Sequence, residues 1–300
     1  MSAADTTILQ PEIPRRSTAI AAMIASGLLF AIMGLCARLA SLPHVVGRAI
    51  PASEVTLVRF AFGALTMLAL QSVSNIRLAG TNRRGLIMRG VWGGFAVYFY
   101  FLSLHHTSLL HAQLLNYASV IFAPLFALLF LRERLGLRTA FAILIAIAGM
   151  CFITLTKQAS GPLNIGDSYG LISGILSGAA IIEVRRLRQT ESAWSVFFYM
   201  CAVGTPIALM TCITDPPHIP TAVGCLVLFC MAATSVVAQI LMTYGYKYVR
   251  AAEGNLLTMT QIAYNGFAGV LIFHEIYTVW TFLGGALILG AAVWLSMEKK

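Results

Sequence analysis

Long apolar runs separated by short polar links dominate this chain. Ten such runs lie near 18–39, 53–72, 86–103, 111–131, 137–156, 168–184, 194–213, 222–245, 254–273 and 278–296. Each is close to the ~20 residues that a helix needs to cross about 30 Å of hydrocarbon. Together they leave no room for a separate soluble domain. The expected class is an all-α, polytopic membrane protein with ten transmembrane helices.

The runs also repeat. Shifting 112–150 by 142 positions aligns it with 254–292 without a gap. Each copy is an apolar run, a polar link with one glutamate (Glu133, Glu275) and a second apolar run. Leu114/Leu256, Leu115/Leu257, Leu129/Leu271 and Thr139/Thr281 also match. The expected organisation is a tail at 1–17 and five-helix halves at 18–157 and 168–296. A Gly- and Pro-containing link, KQASGPLNIGD, joins the halves. Five helices is an odd number, so the second half enters the membrane from the side opposite to the first. Like halves of opposite topology mark an inverted-repeat transporter, with its substrate between the halves near mid-bilayer.

Composition and charge agree with a membrane protein. Residues are 59% hydrophobic and 10% charged, where soluble domains average about 25% charged. The net charge of +9 is not a nucleic-acid footprint, because the charges follow the links. One side takes Arg15 and Arg16; Arg77, Arg83, Arg84 and Arg89; Arg132, Arg134 and Arg138; Arg185, Arg186 and Arg188; Lys247 and Arg250; Lys299 and Lys300. The other takes only Arg48 and Lys157. This bias predicts both termini in the cytoplasm of a bacterial cell, with the chain in its inner membrane. Residues 1–17 are polar and lack the form of a cleavable signal. The six cysteines show no metal-type spacing and read as small packing residues.

A transporter must hold polar groups against an internal cavity, because lipid-facing ones are costly. Helix 4 offers Gln113, Asn116 and Tyr117. Helix 9 offers Thr258, Gln261 and Asn265 as one stripe, with Tyr264 beside it. Helix 3 adds Tyr98, and helix 8 adds Gln239, with Ser235 and Tyr244 nearby. Amides both donate and accept, and tyrosine brings a ring and a hydroxyl. The alternative role for these groups is interhelical hydrogen bonding. Arg59, two turns into helix 2, either attracts a substrate carboxylate or phosphate, or snorkels outward or pairs with Glu54. Glu183 reads as an ion-pair partner of the neighbouring arginines, and Arg38 as a headgroup contact. Pro124 in helix 4 and Gly266 in helix 9 are candidate gating positions, because each lets its helix bend. Gly170, Gly174 and Gly178 form a small-residue face suited to close helix packing. Glu133 and Glu275, each before a helix N-terminus, read as structural. His105, His106 and His111 lack a paired carboxylate or cysteine, so no metal site is expected.

The hairpin at 112–150, with Pro124 in helix 4 and the LRERL link at 131–135, resembles the drug/metabolite transporter superfamily, in its ten-helix EamA type. The likeness spans 18–296. It implies a ten-helix carrier of amino acids, nucleotide-like metabolites or drugs. The sequence departs from the family pattern at Arg132 and His274, where a glycine often precedes the link glutamate. It departs again at Gly266, which stands opposite Pro124. Glu54 and Arg59 also resemble the S-adenosylmethionine carriers of this superfamily.

The expected function is a secondary transporter that moves a small polar or amphipathic metabolite, an amino acid or related compound, by alternating access. Uptake or exchange of an S-adenosylmethionine-type metabolite is one alternative. An integral-membrane enzyme or a non-transporting membrane subunit is another. No GxxxxGK[ST] motif is present for ATP, and no HExxH or GxSxG for catalysis. The expected partners are the lipid bilayer and a small-molecule metabolite, with no nucleic acid and no cofactor.

Overall fold

The computed structural model describes residues 13–74, 76–107, 109–131, 136–155, 165–217, 219–273 and 279–296. Among these residues every regular element is a helix. The first half comprises α1 (Ile13–Ala40), a short α2 (Pro43–Val46), α3 (Ala52–Val73), α4 (Arg83–His106), α5 (Leu109–Asn116), α6 (Ser119–Phe126) with a π-helical turn at Ala127–Leu131, and α7 (Leu137–Leu155). The second half comprises α8 (Ile165–Leu187), α9 (Ala193–Thr214), α10 (Ala222–Gly245), α11 (Ala251–Thr258), α12 (Thr260–Phe273) and α13 (Val279–Ser296). Among the described residues, seven spans are long and apolar enough to cross a membrane. They include Ala112–Phe130, which runs through the interruption between α5 and α6. Glu133 and Glu275 lie outside the described residues, as do Arg132, Arg134 and His274.

Local chemistry sets the helix starts. The side chains of Asn82, Ser192 and Thr221 accept from the amides of Gly85, Ser195 and Gly224, at 3.1, 3.0 and 3.2 Å. These are N-caps that satisfy otherwise orphaned donors. The links hold one another too. Glu191, between α8 and α9, accepts from Thr81 N (2.9 Å), Thr81 Oγ1 (2.5 Å) and Asn82 N (2.7 Å) just before α4. Burial pushes this carboxyl up, but the hydrogen bonds outweigh it and hold Glu191 below the usual carboxylate range.

Packing crosses between the halves. α4 lies along α8, α10 along α1, α3 against α9, and α7 against α13. The C-terminal ends of α4 and α10 are closed alike, by arginines from α1 and from the end of α8 respectively. Arg38 of α1 donates to Leu104 O at 2.8 Å. Arg185 donates to Tyr246 O at 3.0 Å, and Arg188 to Thr243 O at 3.1 Å. A cation at a helix C-terminus meets both free carbonyls and the negative end of the dipole. Arg38 is therefore a cap rather than the headgroup contact expected from sequence. Glu183 lies 4.0 Å from Arg186, one turn along the same helix. Apolar side chains such as Leu65, Leu129, Phe130, Met210 and Phe229 remain exposed, as a lipid-facing surface requires.

The glycine face of α8 packs against the interrupted helix. A Cβ at Gly174 would stand 2.7 Å from Leu115 O and 2.9 Å from Asn116 O. One at Gly178 would stand 2.9 Å from Phe122 Cβ. Only residues without a side chain let the backbones come this close.

Candidate functional site

Sequence pattern predicts helices 4 and 9 as continuous spans. Both are broken instead, at matching places. Between α5 and α6 the amides of Ala118 and Val120 bond three residues back, to Leu115 O and Tyr117 O. Between α11 and α12 the Ile262 amide bonds to Met259 O at 2.8 Å. This tightening leaves the Thr258 carbonyl without its helical donor. The Tyr117 hydroxyl takes that place, donating to Thr258 O at 2.6 Å. Thr258 and Thr260 hydroxyls turn back onto Asn255 O and Leu257 O, a local bonding that favours bent helices. Pro124 has no amide to offer, and the π-helical turn begins three residues later.

A cavity of about 130 Å³ lies where the two breaks meet. Open drug-sized pockets are about 300–1,000 Å³, so this space suits a small metabolite. Arg59, Gln113, Asn116, Tyr117, Gln239, Thr258 and Gln261 all border it. Gln261 Nε2 donates to Gln113 Oε1 at 3.0 Å and to Phe30 O at 3.1 Å. Tyr100 donates to the same Gln113 oxygen at 2.7 Å. Asn255 donates to Ser119 Oγ at 3.3 Å. Moving by the 142-residue repeat turns the Gln113–Gln261 pair into the Asn255–Ser119 pair. Asn116 donates to Ser173 at 2.6 Å and Ser177 at 3.2 Å.

Three expected residues lie outside this lining. Tyr98 is half-buried with its ring 5.6 Å from that of Phe99. Tyr264 is half-buried on α12. Asn265 is buried one turn beyond Gln261 in α12, and its amide has no hydrogen-bond partner. Of the gating candidates, Pro124 is buried in α6, whereas a Cβ at Gly266 would meet nothing within 4 Å.

Arg59 does not snorkel. It is 5% exposed, and its guanidinium lies among the rings of Phe30, Phe60 and Phe101 at 5.9–6.0 Å. Its Nη2 donates to Gln239 Oε1 over a long 3.4 Å. Sequence reasoning missed two lining residues. Arg89 reads as a link charge, yet it is 4% exposed, two turns into α4, and borders the cavity. Tyr246, fully buried just past α10, does the same. The signal for Arg89 is Gly93, one turn on, whose missing side chain leaves room for the guanidinium. Among the described lining residues there is no aspartate or glutamate. The described residues hold no cluster of three or more metal-type ligands.

A model of the EamA-like transporter family matches the chain twice, over residues 17–155 and 164–297. The chain is 26% identical over 280 residues to the pseudopaline exporter CntI of Pseudomonas aeruginosa (strain UCBPP-PA14), covering 93% of this chain and 98% of that protein. It is 24% identical over 238 residues to solute carrier family 35 member G1 of Mus musculus, covering 73% and 64%. One solved crystal structure superposes with a TM-score of 0.76 at 18% identity, over 94% of this chain and 99% of that one. That likeness concerns the fold alone.

Proposed function

The chain belongs to the EamA-like transporter family, and on that premise we propose that it is a secondary transporter of a small polar or amphipathic metabolite. The cargo is an amino acid or related compound, carried across a bacterial inner membrane by alternating access between two inverted five-helix halves. Both termini lie in the cytoplasm, and burial of Arg89 leaves the charge bias behind that orientation intact. Export, the direction in the pseudopaline exporter's name, is the direction proposed here.

One observation carries this reading. An interrupted helix from each half brings its break to the same cavity, which carries buried amides and arginines in its wall. Interrupted helices at a repeat interface are where transporters of this kind hold their substrates. The double family match, the reciprocal packing of α4 on α8 and α10 on α1, and the exchangeable amide pairs support the two-half arrangement.

The test is a thermal-shift screen of purified protein against a metabolite panel, followed by flux of the best ligand in liposomes. Ligand bound to the folded state raises apparent stability, by about 2.7 kcal/mol at a hundred times Kd. Asn116→Ala and Gln261→Ala should abolish both shift and flux. Unchanged shift and flux in both variants would move the site elsewhere.

A further inference from the structure

We propose that the cavity is a receptor for a doubly charged anion, a metabolite with an acidic group at each end, with Arg89 binding one group and Arg59 the other. This deepens the transporter reading and rests on it. The evidence is a set of buried donors without acceptors. Nε of Arg59, Nε and Nη1 of Arg89, and Nε2 of Gln239 are buried and make no hydrogen bond. The Tyr246 hydroxyl, also buried, makes none. All four residues border the cavity. Buried polar groups are nearly always paired, and four unpaired neighbours around one cavity are a site built for acceptor oxygens.

Charge points the same way. Two guanidiniums border the space, and the described lining offers no carboxylate to balance them. Glu183 is the acid on the neighbouring turn of α8. It lies outside the lining, 4.0 Å from the exposed Arg186, and its charge also acts on Arg89 without hydrogen-bonding it. A neutral or zwitterionic ligand leaves one guanidinium without an acceptor, and Glu183 reaches Arg89 only through its field, whereas a dianion gives each guanidinium an acidic group of its own. Such a ligand must bring its own two charges.

Spacing selects the form of the dianion. Arg59 is the eighth residue of α3 and Arg89 the seventh of α4. At 1.5 Å per residue, each lies about 10 Å from the start of its helix. The two helices run in opposite directions through the bundle, joined by the link at 74–82. The arginines therefore reach the cavity from opposite ends. Phe30, Met33, Val97 and Met200 line the space with apolar surface. A short carbon chain capped by two carboxylates fits this arrangement better than a single compact phosphate.

The experiment measures binding of glutarate, pentanoate, inorganic phosphate and norvaline to purified full-length protein, with flux of each in liposomes. Glutarate should bind at least about tenfold more tightly than pentanoate or norvaline, as expected where a buried charge gains its partner. Phosphate should bind more weakly than glutarate. Arg89→Gln should collapse the glutarate-to-pentanoate ratio toward one while pentanoate binding changes little. Arg89→Lys should restore part of that ratio, which a purely structural role for Arg89 would not predict. Norvaline binding and moving as well as glutarate, with a ratio unchanged in Arg89→Gln, would overturn the dianion and leave the transporter standing. Phosphate binding tighter than glutarate would overturn the two-ended form. Loss of all four ligands in a folded Arg89→Gln protein would also overturn the proposal, because the effect would not follow ligand charge.

Discussion

The two broken helices reach the same backbone interruption by different chemistry. In the first half the break is followed by Pro124 and a π-helical turn, and the glycine face of α8 lies over it. In the second half α11 and α12 hold no proline, and threonine hydroxyls fold back onto the carbonyls around the break. The position of Tyr117 in one half is that of Met259 in the other. Tyr117 satisfies the carbonyl that the opposite break leaves free, whereas Met259 is a buried apolar filler. Both guanidiniums come from the first half, and the neutral partners Gln239, Tyr246 and Gln261 come from the second. The repeated backbone makes the cavity, and the departures from repetition give it a polarity.

That contrast can be broken at its tightest contact. Gly174→Leu would drive a side chain into the carbonyls of Leu115 and Asn116. The loss should reach about 3 kcal/mol, read as a fall in folded yield and in the thermal midpoint in detergent. Gly266→Leu, in α12 beyond the other break, faces open space and should leave both near wild type. Equal losses would mean that the breaks are not packed differently.

The next effect is smaller. Tyr117→Phe leaves the buried Thr258 carbonyl without its donor, at a cost of about 1–3 kcal/mol. At the matching position, Met259→Leu conserves volume and should cost less than about 1.5 kcal/mol. Thermal midpoints of the two variants compare them directly. Pro124→Ala restores an amide to α6. It should slow liposome flux more than it lowers folded yield, and wild-type flux would remove the proline from gating.

The smallest effect lies outside the membrane. Glu191 is held below its unfolded value of about 4.3. Its contribution to stability is full above that value and is lost as pH falls through the lower, folded one. Glu191→Gln should flatten this part of the acid limb of a melting-temperature profile. An unchanged acid limb would mean that the carboxylate's hydrogen bonds to Thr81 and Asn82 contribute little.

Element positions were legible because apolar runs and links alternate sharply; the residues 222–245 expected for helix 8 are those of α10. The breaks were not. Neither glycine nor proline stands at Tyr117–Ala118 or at Met259, and apolar periodicity does not register a carbonyl that changes partner. Once Thr258 and Gln261 sit on either side of a break, a straight-helix stripe no longer relates Thr258 to Gln261 and Asn265. Arg89 was hidden by its neighbours Arg83 and Arg84, which make a positive-inside cluster. Only the start of α4 at Arg83 shows that Arg89 is two turns within the helix. Arg59 stood out as an arginine deep in an apolar run, but the run alone did not separate a place at the cavity from snorkelling, which its burial among three rings decides.

The central claim is that the cavity between the breaks opens in turn to each side of the membrane. Ser177 borders it, and Ser177→Cys is a near-isosteric change. The measurement places that single cysteine in a protein whose six native cysteines are replaced. A membrane-impermeant thiol reagent is then applied to right-side-out and inverted vesicles during ligand exchange. Modification from both faces, slowed by transported ligand, is the predicted result. Modification from one face only, or from neither, would contradict the account.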